Sequence, residues 1–400
     1  MKGTSEMTLI LVIVYLSFIS LGLPDSLLGS AWPAMYQGLG VSISSVSWIS
    51  VITTGGTVVS SLLSGRMLKR FGTGKVTLVS ILLTAVALLG FAFSPAFWWL
   101  CVLAIPLGLG AGSVDAALNN FVALYFKASH MSWLHSFWGL GATLGPLILS
   151  FFIARGSWAN GYLTIGILQL VLVGIIATAL PRWKKIEQAD DQLAAEKEEE
   201  QQSKKSVIQK SSVKLSLLSF FLYSAIETTT GLWSSTYLVE YKALTPELAA
   251  RWTSLFFLGI TVGRLVSGFL TYTINNKNLI RIGQLICAAG GIVLFLPFPD
   301  YFSMVGLLLV GLGCAPMYPS MMHDTPNRFG RSASQSVMGL QVAFAYVGSS
   351  IMPLLFSGLV SVSTIALFPY YILLSIVVMT LSSEKMNGYL STNAIDPMNK

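Results

Sequence analysis

Long apolar runs with few charges recur along nearly the whole chain, and they constrain its fold more than any other feature. Each run is roughly 20 residues long, the length that an α-helix needs to cross a bilayer. Apolar residues make up 54% of the chain and charged residues only 10%, with a mean hydropathy of +0.71. The pattern predicts an all-α integral membrane protein with twelve transmembrane helices, at about 8–35, 46–67, 75–94, 97–125, 132–154, 159–180, 213–239, 249–272, 279–298, 302–323, 333–358 and 363–383.

Charge and cysteine content argue against several other classes. The net charge of +7 comes from basic residues spread over short loops, so it indicates membrane topology and no nucleic-acid partner. Cys101, Cys287 and Cys314 lie in apolar runs at unrelated spacings, which predicts neither a disulfide framework nor a metal site. The first apolar run is too long for a cleavable signal peptide. Because the sequence lacks a P-loop, a His/Glu metal motif and a nucleophile elbow, we expect neither enzymatic activity nor a cofactor.

The basic residues of the loops are distributed unequally between the two sides of the predicted bundle. With both termini in the cytoplasm, the exterior receives only Arg155, Lys242 and Arg251 of the 24 basic residues. Cytoplasmic loops of membrane proteins carry an excess of Lys and Arg. We therefore predict a multi-pass cell-membrane protein with both termini cytoplasmic. The cations on the cytoplasmic side would be those of the linker described below together with Lys69, Arg70, Lys75, Lys127, Lys277, Arg281, Arg328 and Arg331.

One extended hydrophilic stretch divides the chain into two sets of six predicted helices. We predict an N-terminal bundle over 1–181, a cytoplasmic linker over 182–212 and a C-terminal bundle with a short tail over 213–400. The linker is expected to be a solvated, partly helical connector. Its composition does not require a regulatory role.

The two sets of helices look like a sequence repeat. The segment "LGLGAGSVD" of the fourth helix matches "VGLGCAPMY" of the tenth, and "LGATLGP" of the fifth matches "VGSSIMP" of the eleventh. Parallel repeats related by an axis along the membrane normal are typical of transporters, with a binding site between them near the midplane. A third match, at the ends of the second and eighth helices, pairs Gly65 with Gly268. The first two matches pair Asp115 with Tyr318 and Pro146 with Pro353.

Three carboxylates lie within the predicted spans, namely Asp25, Asp115 and Glu227. A carboxylate at the centre of a membrane helix costs about 2.5 to 3.5 kcal/mol even on the mildest scale, unless it faces water or takes up a proton. Because burial favours the neutral acid, such a group can exchange protons. We predict proton coupling by Asp25 and Asp115, with a hydrogen bond that packs two helices as the alternative. Pro24 and Pro33 are expected to break the first helix near Asp25.

Polar and aromatic residues accompany these acids. Asn119 follows Asp115 by four residues on the same helix face, and a carboxylate beside an amide can bind hydroxyl groups. His135 is either a proton relay or a structural residue, and Gln341 either binds solute or bridges helices. Arg264 lies deep in the eighth helix, where we expect a gate or an ion pair. The predicted substrate contacts are Asn119, Asn120, Glu227, Gln341, Trp138, His135 and Trp233.

The chain resembles the major facilitator superfamily over essentially its full length. The loop "GRMLKRFGTGK" keeps Gly65, Arg70, Gly72 and Lys75 of that family's signature between helices two and three, but Lys69 replaces the signature aspartate. The resemblance therefore does not imply the salt-bridge latch that is usual at this loop. "GATLGP", which contains Pro146, resembles the glycine-proline motif of the fifth helix, which is common in exporters but not confined to them. We assign gating or structural roles to Arg264, Arg70, Gly65, Gly72 and Pro146.

A closer resemblance is to the fucose/glucose–proton symporter branch and its sugar-transporter-like relatives. "GLG", Asp115 and "NNFV" match its fourth-helix motif, with aspartate for the usual glutamate and Asn120 for proline. Pro24-Asp25 matches its first-helix Asn-Asp, and "YSAIETTTGLW" matches a seventh-helix pattern. The resemblance implies proton coupling for Asp25, and both sugar and proton binding for Asp115.

The sequence leaves more than one function open. The first hypothesis is a monomeric secondary transporter in the lipid bilayer that moves a small polar solute, such as a monosaccharide, by proton-coupled alternating access. H⁺ is the expected coupling ion and Na⁺ the alternative. The second hypothesis is a proton-antiport exporter of drugs or metabolites, since membrane acids and the fifth-helix motif also fit it. The third is a membrane sensor or scaffold that transports nothing.

Overall fold

The structure is a computed structural model that describes residues 2–126, 128–191, 211–329 and 331–395. Lys127 and most of the predicted linker lie outside the described residues. In the N-terminal half the helices are α1 Lys2–Asp25, α2 Leu27–Met35, α3 Val46–Phe71, α4 Thr73–Ala92, α5 Phe97–Tyr125, α6 Ala128–Ile153 and α7 Trp158–Asp191. In the C-terminal half they are α8 Ser211–Glu240, α9 Pro246–Leu270, α10 Asn276–Phe295, α11 Phe302–His323, α12 Thr325–Phe329, α13 Arg331–Val362 and α14 Phe368–Ile395.

The helices confirm the predicted all-α membrane fold. Eleven segments of the described chain are long and apolar enough to cross a membrane, and α1 with α2 counts as one of them. The helix α8 takes the place of the remaining predicted span. It is 30 residues long but less apolar, because it carries many Ser and Thr residues, several of them buried. Between the described ends of α7 and α8 lie residues 192–210, so α7 continues ten residues into the predicted linker.

The first predicted span is interrupted where its prolines led us to expect a break. One helix ends at Asp25 and the next begins at Leu27, with Ser26 between them. Successive long helices run in opposite directions across the bundle. We call the side at which α1 begins and α14 ends the termini side, and the other the opposite side.

The repeat in the sequence is also a repeat of contacts. In the N-terminal half, a Cβ added to Gly108 of α5 would lie 2.0 Å from the carbonyl oxygen of Thr53 in α3. In the C-terminal half, a Cβ added to Gly311 of α11 would lie 2.0 Å from the carbonyl oxygen of Phe256 in α9. Both residues of the second contact are 203 positions after those of the first, because 311 − 108 and 256 − 53 are both 203. The two halves therefore share one packing plan as well as one motif.

Candidate functional site

The carboxylate Asp25 follows a proline that removes a backbone hydrogen bond. Pro24 has no N–H, so the carbonyl of Ser20 four residues earlier loses its helical donor. Gln169 of α7 replaces that donor, because its Nε2 donates to the Ser20 oxygen at 2.7 Å. The Oε1 of Gln169 accepts in turn from Thr84 Oγ1 of α4 at 2.8 Å. The helix end that carries Asp25 is thus held by side chains of two other helices.

Close packing of α1 on α6 brings an indole to this carboxylate. A Cβ on Gly22 would lie 2.0 Å from the Trp138 carbonyl oxygen, and one on Gly141 would lie 2.1 Å from the Ile19 carbonyl oxygen. No side chain fits at either position, so glycine is what allows the two backbones to meet. At this approach Trp138 Nε1 donates a hydrogen bond to Asp25 Oδ2 at 2.8 Å.

The same indole also contacts the C-terminal half. The guanidinium carbon of Arg264 in α9 lies 5.2 Å from the centroid of the Trp138 ring, within the range of a cation–π contact. Arg264 Nη2 pairs with Glu227 Oε1 of α8 at 3.1 Å, and it lies 3.4 Å from the hydroxyl of Tyr223. The acidic partner that Arg264 was expected to need is therefore Glu227. A continuous chain of contacts runs from Asp25 in one half to Glu227 in the other.

The second acid of the N-terminal half lies on α5. Asn119 Nδ2 donates to both the carboxylate Oδ1 and the backbone oxygen of Asp115, each at 2.9 Å. Asp115 is close enough to act electrostatically on Asp25, and so is Glu227. Asp115 also interacts electrostatically with Tyr318, its counterpart in the sequence repeat. The three membrane carboxylates thus form one cluster between the halves.

The cluster faces open space, although it lies deep in the bundle. Asp25 and Asn120 are exposed, and Asp115 and Asn119 are partly exposed. The two halves are bonded to each other at the opposite side, so this space opens toward the termini side. The bonds are Tyr36 Oη to Glu240 Oε1 at 2.7 Å, Ser235 Oγ to the Ser30 oxygen at 3.3 Å, Ser357 Oγ to the Ser44 oxygen at 2.7 Å and Ser47 Oγ to the Pro353 oxygen at 3.1 Å.

Other residues predicted from the sequence lie near this cluster or away from it. His135 is within electrostatic range of Arg264 and packs edge-on against Phe18, at 5.9 Å between ring centroids. Trp233 is fully buried against Phe356 of α13, at 5.4 Å between centroids, and does not join the cluster. Gln341 is buried and bridges helices: its Nε2 donates to Ser216 Oγ at 2.8 Å, and its Oε1 accepts from Thr325 Oγ1 at 3.0 Å.

The predicted gating and structural residues, apart from Arg264, lie outside the cluster. Gly72 forms the turn between α3 and α4 with φ of +79°, a conformation that favours glycine. Arg70 is exposed and lies over the ring of Phe71 at 5.3 Å. Gly65 is exposed on α3, and Pro146 is buried inside α6.

Three residues of the site were not among the sequence predictions. Tyr223 contacts Arg264, Tyr346 interacts electrostatically with both Asp115 and Asp25, and Gln169 supports the proline break. Only Gln169 had a usable signal, since it is an amide in an apolar run and a proline within another helix needs an outside donor.

A second cleft lies beside the cluster, between α1, α6 and α9. Its volume is about 460 Å³ and its lining is almost entirely apolar. Trp133, Leu140 and Leu265 of the lining are exposed on the outer surface of the helices. Thr261, which also lines the cleft, lies 3.5 Å from Thr143 of the other half, hydroxyl to hydroxyl. The cleft is therefore open at the boundary between the two halves.

A bundle of two related six-helix halves around a polar central site is typical of secondary membrane transporters. Residues 14–353 match the family model of the Major Facilitator Superfamily. Because the match covers most of the chain, the protein belongs to this family.

Several known proteins are similar to this chain. It is 24% identical to the glucose/mannose transporter GlcP of Bacillus subtilis over 362 aligned residues. The alignment covers 88% of each chain. It is 27% identical over 277 residues to Bypass of stop codon protein 6 of Saccharomyces cerevisiae, covering 64% of this chain and 55% of that protein. The chain thus spans about half the length of the yeast relative. The crystal structure of a D-xylose-proton symporter has the same fold, with a TM-score of 0.70 at 14% identity over 93% of this chain and 97% of the other.

Proposed function

We propose that the protein carries a small, hydroxyl-rich solute of the monosaccharide class across the cell membrane together with a proton. The observation that supports this most is the clustering of Asp25, Asp115 and Glu227 in open space between the halves. The solute class agrees with the similarity to a glucose/mannose transporter, which extends over 88% of both chains. H⁺ is the proposed coupling ion and Na⁺ the alternative, with no bound cofactor.

The proposal assigns different tasks to the groups of the cluster. Asp25 and Asp115 exchange the proton, and Asn119 and Asn120 offer donors and acceptors to solute hydroxyls. Glu227 forms an ion pair with Arg264 at 3.1 Å, so we assign the proton to the other two acids. Trp138 bonds to Asp25 in its own half and contacts Arg264 of the other half, so a rocking motion of the halves would break or remake its contact with Arg264.

The topology completes the proposal. We place both termini in the cytoplasm, which makes the termini side cytoplasmic and puts the closed contacts such as Tyr36–Glu240 on the exterior. The excess of Lys and Arg on the termini side supports this orientation. Solute in the open space would then exchange with the cytoplasm. We expect the transporter to act as a monomer.

The experiment that tests coupling is uptake into proteoliposomes driven by a pH gradient. The substrate is first chosen from sugars, polyols, amino acids and lipophilic cations by the thermal stabilisation that each gives. Asp25→Asn and Asp115→Asn should abolish gradient-driven uptake, while Asp25→Asn should retain exchange without a gradient. Asp300→Asn makes the same chemical change in a partly exposed ion pair with Lys242 and should retain uptake. Full driven uptake by both cluster variants would refute the proton role.

Export of lipophilic compounds is the second candidate function. The apolar cleft between α1, α6 and α9 favours it, because such a cleft at the outer surface can admit molecules dissolved in the membrane. The thermal-stability panel separates the two functions. Stabilisation by lipophilic cations alone would support export and contradict the sugar proposal.

A further inference from the structure

Seven basic side chains are exposed together on the termini side of the N-terminal half. We call them the basic face, and each is exposed at the end of α3, the start of α4 or the last turns of the membrane part of α7. The basic face consists of Arg66, Lys69, Arg70, Lys75, Arg182, Lys184 and Lys185.

The fold brings the three helix ends to one surface. Gly72 lets α4 begin directly after α3. Trp183 of α7 is buried, and a Cβ on Gly74 of α4 would lie 3.0 Å from its ring. The end of α7 is therefore packed against the start of α4. The cations on either side of Trp183 thus lie beside those of the α3–α4 turn.

Among the side chains that the structure describes, which in α7 extend only to Lys185, the basic face has no acidic partner. The ion pairs between these side chains all lie in the C-terminal half, and none includes a member of the basic face. In that other half Arg281 of α10 is paired by both Nε and Nη2 with Glu384 of α14, at 2.7 and 2.6 Å. The family signature would supply an aspartate to the α3–α4 turn, but Lys69 stands there and adds to the positive charge.

We propose that the basic face binds the phosphate groups of anionic phospholipids. The helix α3 ends at Phe71, α4 begins at Thr73, and the apolar run of α7 ends just before Arg182, which puts the cations at the depth of the lipid headgroups. Clusters of Lys and Arg at this depth attract anionic lipids. Phe71 and Leu62 are 50% and 80% exposed on the same helix, so acyl chains have an apolar surface just below the charges. The site is independent of the transported solute.

A competing occupant is the acidic part of the chain that begins at the end of α7 and continues beyond it. Residues 187–200 contain seven acids, a number equal to that of the basic face. The membrane location of the cations favours lipid, because lipid headgroups surround them on the bilayer side at high local concentration. The acidic segment is therefore treated as an outcome that the experiment must separate.

Native mass spectrometry of the full chain measures the binding directly. The detergent-purified protein is titrated with phosphatidylglycerol, and separately with phosphatidylcholine that has the same acyl chains. We expect wild-type protein to prefer phosphatidylglycerol by about tenfold, and Lys69→Gln/Lys75→Gln to lose most of that preference. The matched control is Lys277→Gln/Lys385→Gln, which removes two exposed lysines from the termini side of the C-terminal half and should retain it.

Three outcomes would overturn the proposal. Equal binding of the two lipids by wild-type protein would show that the headgroup charge is not recognised. An equal loss in both double variants would show a dependence on net charge without a local site. If wild-type protein shows no preference but replacement of Glu196, Glu198, Glu199 and Glu200 by Gln creates one, the acidic segment occupies the basic face instead.

Discussion

Replacing Gln169 by leucine should destabilise the protein through a carbonyl in another helix. The substitution removes the donor to Ser20, whose own helical donor is already missing because of Pro24. A buried polar group left without its partner costs about 1–3 kcal/mol. Thr84 also loses a partner, but its hydroxyl can still donate to the Ile81 oxygen at 2.9 Å. We therefore expect the free energy of unfolding to fall by about 1–3 kcal/mol, close to the cost of one unsatisfied carbonyl.

A double-mutant cycle with Pro24→Ala separates this mechanism from a general packing defect. Alanine at position 24 restores the backbone N–H that can donate to the Ser20 oxygen. The loss of unfolding free energy caused by Gln169→Leu should then be smaller by about 1 kcal/mol or more in the Pro24→Ala background. The effects of two substitutions on stability are not additive when both residues act on the same hydrogen-bond partner. Unfolding in mixed micelles with increasing denaturing detergent, followed by circular dichroism, gives the four free energies.

The control for this cycle is Gln284→Leu in α10. Gln284 is also buried, but its Nε2 donates to Ser383 Oγ at 3.2 Å and has no relation to Pro24. The loss of unfolding free energy caused by Gln284→Leu should be the same with proline or alanine at position 24. If the Gln169 cost is likewise unchanged by Pro24→Ala, the proposed link between the amide and the proline break is wrong.

Three more predictions concern the acidic cluster and the closed contacts at the opposite side. Trp138→Phe keeps a ring beside the guanidinium but removes the indole donor to Asp25. Gradient-driven uptake should fall about tenfold, consistent with the loss of one hydrogen bond to a charged group. Unchanged uptake would contradict the role of that bond. Glu227→Gln leaves Arg264 without its counter-charge and should lower the free energy of unfolding by about 2 kcal/mol. This loss is smaller than that for a fully buried pair, because both side chains are partly exposed. The double variant Glu227→Gln/Arg264→Met should recover part of the loss in the same assay. Cysteines at Ser44 and Ser357, once crosslinked, should stop transport until a reductant is added, and transport at the normal rate by crosslinked protein would rule out opening at that side.

Much of the fold could be predicted from the sequence because the membrane imposes a simple rule. A helix must be apolar over a fixed length, so span positions follow from hydropathy within a few residues at most ends. The break beside Asp25 followed from Pro24, since proline cannot donate a helical hydrogen bond. The helix α8 was also predicted correctly, although its Ser and Thr content lowers its hydropathy; its buried hydroxyls bond to neighbours such as Thr253 and Tyr371.

The candidate site could be predicted only in part, because helical periodicity shows which residues share a face but not which helix they meet. Asn119 and Asp115 were correctly placed together, since both lie on one helix. Trp233 follows Glu227 by six residues, and in the structure it points into the C-terminal half away from the acids. The contact between Trp138 and Arg264 depends on how two helices from different halves are rotated. No local pattern carries that information.

The two halves share a packing plan but differ in the chemistry at equivalent positions, and that difference determines what each half can do. Asp115 and Tyr318 occupy the same place in the repeat, yet near neutral pH a phenol keeps its proton whereas a carboxyl group can release one. The N-terminal half also carries Asp25, while the membrane acid of the C-terminal half is committed to Arg264. Under the proposed function, proton exchange is therefore confined to the N-terminal half. Trp138 contacts both Asp25 and Arg264, so under the same proposal a change at Asp25 would reach the ion pair of the other half through this indole.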